Sequence, residues 1–423
     1  MRDEPAHDTQ RGSVAKCRDF AHRFRDCNAR QWLRQCRYPV PDNTVLITGA
    51  RAPVALHLAR LLNSSGRRVI LADTPARPIA AASAAAARYH RLPPPRFEPG
   101  AYAEAVAALV RAEGVDLVIP TCEEVFYLSL AWRERAIPAR LFAPGIELLA
   151  EVHDKHAFIR LAERLGLSVP ETTLLESKAD LEAVRGRCRD LVFKPVWSRF
   201  ASHVLLRPSP DVLDAVSPSP AMPWVAQRFV PGEEISAYAV AREGKLKALS
   251  LYRSLYRAGK GAGIFFEPVE DEAARRLVER IVAGTGWNGQ ISFDLMRQAD
   301  GQVLPLECNP RAVSGLHFFR DAARFAEAVL EDGAEVRPDV TAPQTVRLAM
   351  WIFGLSAALR SGGLGRFRQA MRTAEELLDW PGDPRPKKAQ WRTLAEIADT
   401  ALSQRISLQA ASTRDIEWNG PGK

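Results

Sequence analysis

Gln290-Ile-Ser-Phe-Asp294-Leu-Met-Arg-Gln-Ala-Asp300-Gly301-Gln-Val-Leu-Pro-Leu-Glu307-Cys-Asn309-Pro-Arg311 reads as a β-hairpin. Asp300-Gly301 lies between two apolar runs, and Asp-Gly is a strong hairpin signal because a type I′ turn needs positive φ at both central residues. With those two at the tip, Gln298 faces Val303 and Asp294 falls directly opposite Glu307. Side chains alternate faces with period two. Asp294, Glu307 and Asn309 therefore share one face, and Phe293, Leu295, Leu304 and Leu306 share the apolar other. Two facing carboxylates repel. A hard divalent cation held by oxygen ligands removes the conflict, and Mg²⁺ bridging to phosphate is the usual arrangement. The alternative is a surface hairpin with a solvated acidic face; the residues that follow it and the context upstream argue against that.

A chain of 423 residues predicts two or three domains and ample core. The net charge of +8 suits an anionic ligand such as a nucleotide, and equally a basic soluble protein. No zinc-finger spacing or RNP-like aromatic strand points to nucleic acid. The cysteines Cys17, Cys27, Cys36, Cys122, Cys188 and Cys308 form no CxxC pair and read as free thiols in a reducing compartment, hence a cytoplasmic protein. The N-terminus is polar and charged, unlike a signal peptide. The longest apolar run, Leu348 to Leu359, is too short to span a bilayer. It is expected to be a buried helix, with an interfacial helix in peripheral membrane contact as the alternative.

Residues 1–42 are polar and Arg-rich, and are expected to be disordered or loosely helical. At Thr44 the pattern changes. Val45-Leu-Ile is a buried strand, Thr48-Gly49-Ala50-Arg51 a turn, Val54 to Asn63 a helix capped by Gly66, and Arg68 to Leu71 a second strand ending at Asp73. A helix over Ile79 to Ala87, a Pro-rich loop, a helix over Tyr102 to Glu113 and a third strand, Val115 to Pro120, follow. This βαβαβ order predicts a parallel sheet over residues 43–150. A GxGxxG fingerprint is absent, which counts against NAD. Asp73 reads as a cap or turn residue rather than a ribose ligand, and Glu123 and Glu124 either line a cleft or begin a helix.

From Glu151 the elements differ. His153-Asp154-Lys155 opens a helix closed by Gly166, and Asp190-Leu-Val-Phe-Lys194-Pro195 is a strand. Trp224 to Ser236 is strand, turn and strand, and Tyr238–Val240 and Leu246–Leu251 continue an antiparallel sheet. A Gly-rich loop from Tyr252 to Gly263 precedes a helix over Asp271 to Gly284. Residues 336–423 read as a mostly helical tail.

From about Thr44 to His317 the chain resembles the ATP-grasp superfamily, in its carbamoyl-phosphate-synthetase-like and carboxylate–amine ligase branch. The order of parts carries the resemblance: a leading Rossmann-like unit, Asp154-Lys155 with its helix, Lys194 on a strand, Gln227-Arg-Phe-Val-Pro-Gly-Glu-Glu234, Asp294, and Glu307-Cys-Asn-Pro-Arg311. It implies an α/β plus α+β protein: a Rossmann-like pre-ATP-grasp domain (43–150), an ATP-grasp domain of two α+β subdomains holding ATP (151–335), and a helical tail. It further implies that Lys155 and Lys194 meet nucleotide phosphates and that Gln227, Arg228, Phe229 and Val230 form the adenine hinge. Glu234 would accept the ribose hydroxyls, with Glu233 as its rival. Asp294, Glu307 and Asn309 would bind Mg²⁺, with Mn²⁺ as a substitute.

Arg311 would steady the transferred phosphoryl group, and its planar fork suits that charge. Arg253, on the Gly-rich loop with Tyr256, Arg257 and Lys260, would reach the substrate carboxylate; a solvated basic loop is the alternative. His317 reads as a packed or exposed histidine rather than a catalytic one. Where many members have a glycine-rich phosphate loop, this chain has Pro195-Val-Trp-Ser-Arg-Phe-Ala-Ser-His203, with Ser198, Arg199 and Ser202 as side-chain donors. The implied activity is ATP-dependent conversion of a small-molecule carboxylate to an acyl phosphate, attacked by an amine or another nucleophile, from a monomer or homodimer. A catalytically silent nucleotide-binding regulator is the competing class, and an NAD-dependent oxidoreductase built on Gly49 and Asp73 a weaker one.

Overall fold

The middle of strand β1 (Thr44–Thr48), Val45 to Ile47, is apolar because both of its faces are covered. It pairs in parallel with β2 (Arg68–Asp73) and β4 (Leu117–Ile119), and β3 (Arg88–Arg91) and β5 (Arg140–Leu141) complete a sheet ordered β3-β2-β1-β4-β5. The computed structural model describes residues 44–197, 203–258, 262–360 and 362–420. The expectations for residues 1–42, for Ser198, Arg199 and Ser202, and for Lys260 lie outside the described residues.

The parallel sheet is as expected, with helix Pro53–Ser64 between β1 and β2. Gly49, at φ +74°, makes the turn after β1, where an added Cβ would meet Thr121 Oγ1 at 2.5 Å. The helix expected over Ile79 to Ala87 is instead one 3₁₀ turn, Ile79–Ala82, followed by β3. Alanine favours helix, but here a tertiary contact prevails. Ser83 Oγ donates to Asp383 Oδ2 at 2.6 Å, and the Ala84 amide to Asp383 Oδ1 at 2.9 Å.

Two further sheets follow. One is antiparallel, ordered β6-β9-β7-β8, from β6 (Thr172–Leu175), β7 (Leu191–Pro195), β8 (Leu205–Leu206) and β9 (Trp224–Arg228). The other has the order β14-β13-β10-β11-β12-β15-β16, from β10 (Glu233–Arg242), β11 (Lys245–Ala258), β12 (Ala262–Val269), β13 (Gly289–Arg297), β14 (Val303–Asn309), β15 (Gln344–Thr345) and β16 (Glu375–Glu376). Helix Glu272–Thr285 begins at Asp271, whose side chain accepts from the Ala274 amide, and packs Leu277, Val278 and Ile281 into the core beside Phe293 and Leu295.

Two expectations are corrected here. The Gly-rich loop from Tyr252 is strand: β11 runs to Ala258 and β12 begins at Ala262. The apolar run from Leu348 is not a buried helix. Met350, Gly354 and Ala358 are buried and Ala349 and Leu355 pack against the same cluster, while Trp351, Ile352, Phe353 and Leu359 are 55%, 49%, 39% and 60% exposed. An unbroken apolar run hides which face meets the core, and a π-helical turn at Met350–Gly354 shifts that face midway. The tail is mostly helical, as expected, and its two short strands β15 and β16 extend the large sheet.

The tail returns to the parallel sheet. Glu396 accepts from the amides of Ala76 and Arg77 at 2.7 and 2.8 Å, and Trp418 stacks on Phe126 at 4.4 Å. Among the described residues no helix is long and apolar enough to cross a membrane.

Candidate nucleotide and metal site

Asp294 and Glu307 are directly paired across β13 and β14, as the hairpin reading requires, but by a different route. The tip is not a type I′ turn. Gly301 has φ +84°, Asp300 does not have positive φ, and the Gln298 amide donates to Gln302 O at 2.8 Å. This three-residue loop pairs Arg297 with Val303, one position off the expected register. A bulge between Asp294 and Leu295 restores it further down. The shift changes the apolar face beyond the bulge: Val303 joins Phe293, Leu295 and Cys308 in one core cluster, while Leu304 is buried outside it. Leu306 instead lines the adjoining cavity with Met296.

Strand pairing carries the site across three strands. Ser236 on β10 pairs with Asp294, which pairs with Glu307, and Ser236 Oγ donates to Asp294 Oδ1 at 3.1 Å. Glu234 lies two residues from Ser236 and so on the same face. Sequence reasoning missed Ser236, although its spacing from Glu234 carried the signal.

Both lysines converge on Glu307. Lys155 Nζ is 3.8 Å and Lys194 Nζ 3.9 Å from Glu307 Oε2. They arrive from different elements. Lys155 starts a helix capped by Asp154, which accepts from the amides of His156 and Ala157 at 2.9 and 2.8 Å. Lys194 lies on β7 and donates to Leu306 O at 3.2 Å. Burial brings the Lys194 ammonium down to about 8; Glu307 opposes the decrease and Lys155 adds to it. Burial disfavours ionisation of Glu307, but the two lysines outweigh it and hold the carboxylate ionised. Asp294 moves the other way: burial, then the charge of Glu307, pushes it above the usual carboxylate range. One carboxylate is thus kept charged by cations while its neighbour tends to hold a proton.

Gln227, Arg228, Phe229, Val230, Glu234, Lys194, Asp294, Glu307, Asn309 and Arg311 line one cavity of about 1,090 Å³. Typical single-ligand sites measure roughly 300–1,000 Å³, so this one has space for a nucleotide and a second molecule. Lys155 is buried behind Glu307 rather than on the cavity wall. Glu234 is paired with Arg257 at 2.5 Å. Arg253 is placed differently from the expectation: it pairs with Glu233 and, at 2.7 Å, with Glu267, and it does not line the cavity. Alternation along β11 turns Arg253 away, and register shifts on either side of Tyr256 bring Arg257 to the cavity instead. Tyr252 and Ser254 face the cavity, the shifts break the alternation, and Arg257 faces it next.

Arg311 donates to Asn309 Oδ1 at 3.5 Å and lies 3.9 Å from Glu123 Oε1. Glu123 lines the cavity, whereas Glu124 is committed to the turn after β4, accepting from Thr48 Oγ1 at 2.7 Å and the Thr121 amide at 3.0 Å. His317 is buried edge-on to His57 at 4.9 Å. Asp73 is a turn residue as expected, accepting from the amides of Arg51 and Thr74 at 2.8 and 2.7 Å, and it is also the buried partner of the Arg51 guanidinium, at 2.5 Å.

Among the described residues no three His, Cys, Asp or Glu side chains are placed to hold a metal ion by themselves. The donor set nevertheless fits Mg²⁺. Two apposed carboxylates, one inclined to keep a proton, and a neighbouring amide oxygen suit an ion that takes one or two carboxylates and completes its shell with phosphate and water.

Residues 152–315 match the family model described as "ATP-grasp domain". This stretch of the chain is an ATP-grasp domain. Its fold extends beyond the matched segment. N5-carboxyaminoimidazole ribonucleotide synthetase, solved with ADP, superposes with a TM-score of 0.57 at 16% identity, over 73% of this chain and 82% of that one. L-amino acid ligase from Bacillus licheniformis gives 0.56 at 15%, over 69% and 75%. Phosphoribosylamine–glycine ligase from Thermotoga maritima gives 0.54 at 17%, over 71% and 78%. At such identities the likeness concerns the fold. No curated protein matches the chain in sequence. The ATP-grasp domain holds both lysines, the Gln227–Glu234 stretch and the carboxylate hairpin within the matched residues.

Proposed function

We propose that the protein is an ADP-forming ligase that activates a small-molecule carboxylate with ATP and joins it to an amine or another nucleophile, in the cytoplasm. The observation that carries this reading is the convergence of Lys155 and Lys194 on Glu307, opposite Asp294, in a cavity large enough for two ligands. Lys194 would neutralise nucleotide phosphate, with Lys155 supporting the charge from behind. Asp294, Glu307 and Asn309 would hold Mg²⁺, which would supply charge compensation for the phosphoryl oxygens.

Glu234 would accept the ribose hydroxyls once it releases Arg257. The amides of Arg228 and Phe229 donate inward, to Glu171 O and Asp190 O, both at 2.8 Å. Backbone N–H contact to adenine would therefore come from Val230 onward, with Leu306 and Met296 as the apolar walls.

The chemistry is phosphoryl transfer followed by acyl transfer. A carboxylate oxygen of the substrate attacks the γ-phosphorus in line and ADP leaves. The amine then attacks the acyl carbon, and phosphate departs with the oxygen that made the attack. Arg311 would hold the carboxylate and its phosphorylated form. Arg257, which faces the cavity, takes over the role expected of Arg253. ADP release with Mg-ATP across a panel of carboxylates and amines tests the reading. Release should rise above background for at least one pair and require both partners for full turnover. A uniformly flat response would leave a silent nucleotide binder instead.

The depressed Lys194 ammonium sets a pH limit. Phosphate binding needs the charged form. Mg-ATP affinity should hold below a pH of about 8 and fall as pH rises through it, approaching tenfold per unit. Calorimetric titration across that range checks this, and Lys194→Arg should bind more weakly but with a flat profile.

A further inference from the structure

We infer that the helical pair spanning Arg347–Thr373 is a docking surface for an anionic lipid bilayer. Isolated exposed apolar side chains are ordinary on any protein. Here three stand in sequence, Trp351, Ile352 and Phe353, with Leu359 two turns on, and all four are exposed. The π-helical turn at Met350–Gly354 produces this wide apolar arc. Its inward side chains, Met350 and Ala358, pack on Ile264, Phe265 and Phe367. Trp351 is held edge-on to Phe367 at 5.6 Å, so the arc is presented from a fixed scaffold.

Charge selects the occupant. From Thr341 to Ala374 the sequence contains five arginines and neither Asp nor Glu. Arg347 turns inward to Ala374 O at 2.9 Å, while Arg360, Arg366, Arg368 and Arg372 are exposed. Apolar and aromatic side chains among arginines, on short helices, match an element that lies in a membrane interface. Anionic headgroups attract such arginines from the cytoplasmic side. A second copy of the chain fits less well, because a twofold contact would set these arginines against one another. None of the four exposed apolar residues lines the nucleotide cavity, so the surface and the proposed reaction stand or fall separately.

Cosedimentation of the full chain with vesicles tests the proposal. Binding is expected to phosphatidylcholine–phosphatidylglycerol vesicles, to weaken with salt, and to be far weaker on phosphatidylcholine alone. Arg366→Glu with Arg368→Glu and Arg372→Glu should weaken it at least about a hundredfold. Trp351→Ser with Phe353→Ser should weaken it about tenfold or more, with an unchanged far-UV circular dichroism spectrum and thermal midpoint as the control for folding. The second variant also separates this surface from arginines elsewhere, those of residues 1–42 included. The proposal is overturned if the chain stays in the supernatant with anionic vesicles, or if both variants bind as the parent does. It is equally overturned if the parent is a dimer that the serine variant dissociates.

Discussion

Glu307→Gln is expected to remove ADP formation while leaving the fold in place. Glu307 answers two buried ammoniums and faces Asp294, so it is the charge on which the site converges. Without it the proposed Mg²⁺ site would lose one of its two carboxylates, and turnover should fall at least about 10³-fold, near 4 kcal/mol of transition-state stabilisation. The side chain is 27% exposed, toward cavity water, so the stability loss should be only about 1–2 kcal/mol. Asp294→Asn separates charge from shape. Asp294 already tends to hold a proton, so the amide should leave thermal stability without nucleotide unchanged or slightly raised, while removing the stabilisation by Mg-ATP. Turnover retained in Glu307→Gln would show that the hairpin is not the metal site.

Arg51→Met should be the most damaging substitution for stability. The guanidinium is bound by Asp73 at 2.5 Å and by Asp415 at 2.6 and 2.7 Å, and it donates to Ser412 O at 3.0 Å. It joins the turn after β1 to the end of the tail. Removing it leaves two carboxylates face to face, with Asp73 only 3% exposed. Breaking a buried pair in this way costs about 3–5 kcal/mol. Adding Asp415→Asn should recover part of that, because the remaining loss is mainly like-charge repulsion. Denaturant titration of the two variants measures both values. A loss below about 1 kcal/mol for Arg51→Met would mean that the tail is held mainly by other contacts, such as Trp418 on Phe126.

The parts of the fold legible in the sequence were those decided by neighbours along the chain. The parallel sheet followed from alternating strands and helices, and the helix after His153-Asp154-Lys155 was placed with its end near Gly166. Asp294 met Glu307 although the turn type was misjudged, since a bulge cancelled the slip in register. No rule based on spacing foresees a bulge, and two irregularities on β11 likewise bring Arg257 to the cavity. The Ile79–Ala87 segment was misjudged because the group that reshapes it, Asp383, is about three hundred positions away. The tail's contacts were illegible for the same reason: Arg51 and Asp415 are 364 positions apart. The outward face of Trp351–Phe353 was hidden because apolar periodicity is absent when every position is apolar.

The central claim is that a carboxylate is phosphorylated by ATP in this site, and oxygen transfer tests it most directly. A substrate carboxylate that raises ADP release, labelled with ¹⁸O, is turned over with Mg-ATP and its amine partner. The released phosphate should carry label from the carboxylate, because the attacking oxygen leaves with phosphorus. Phosphate free of that label would contradict the account.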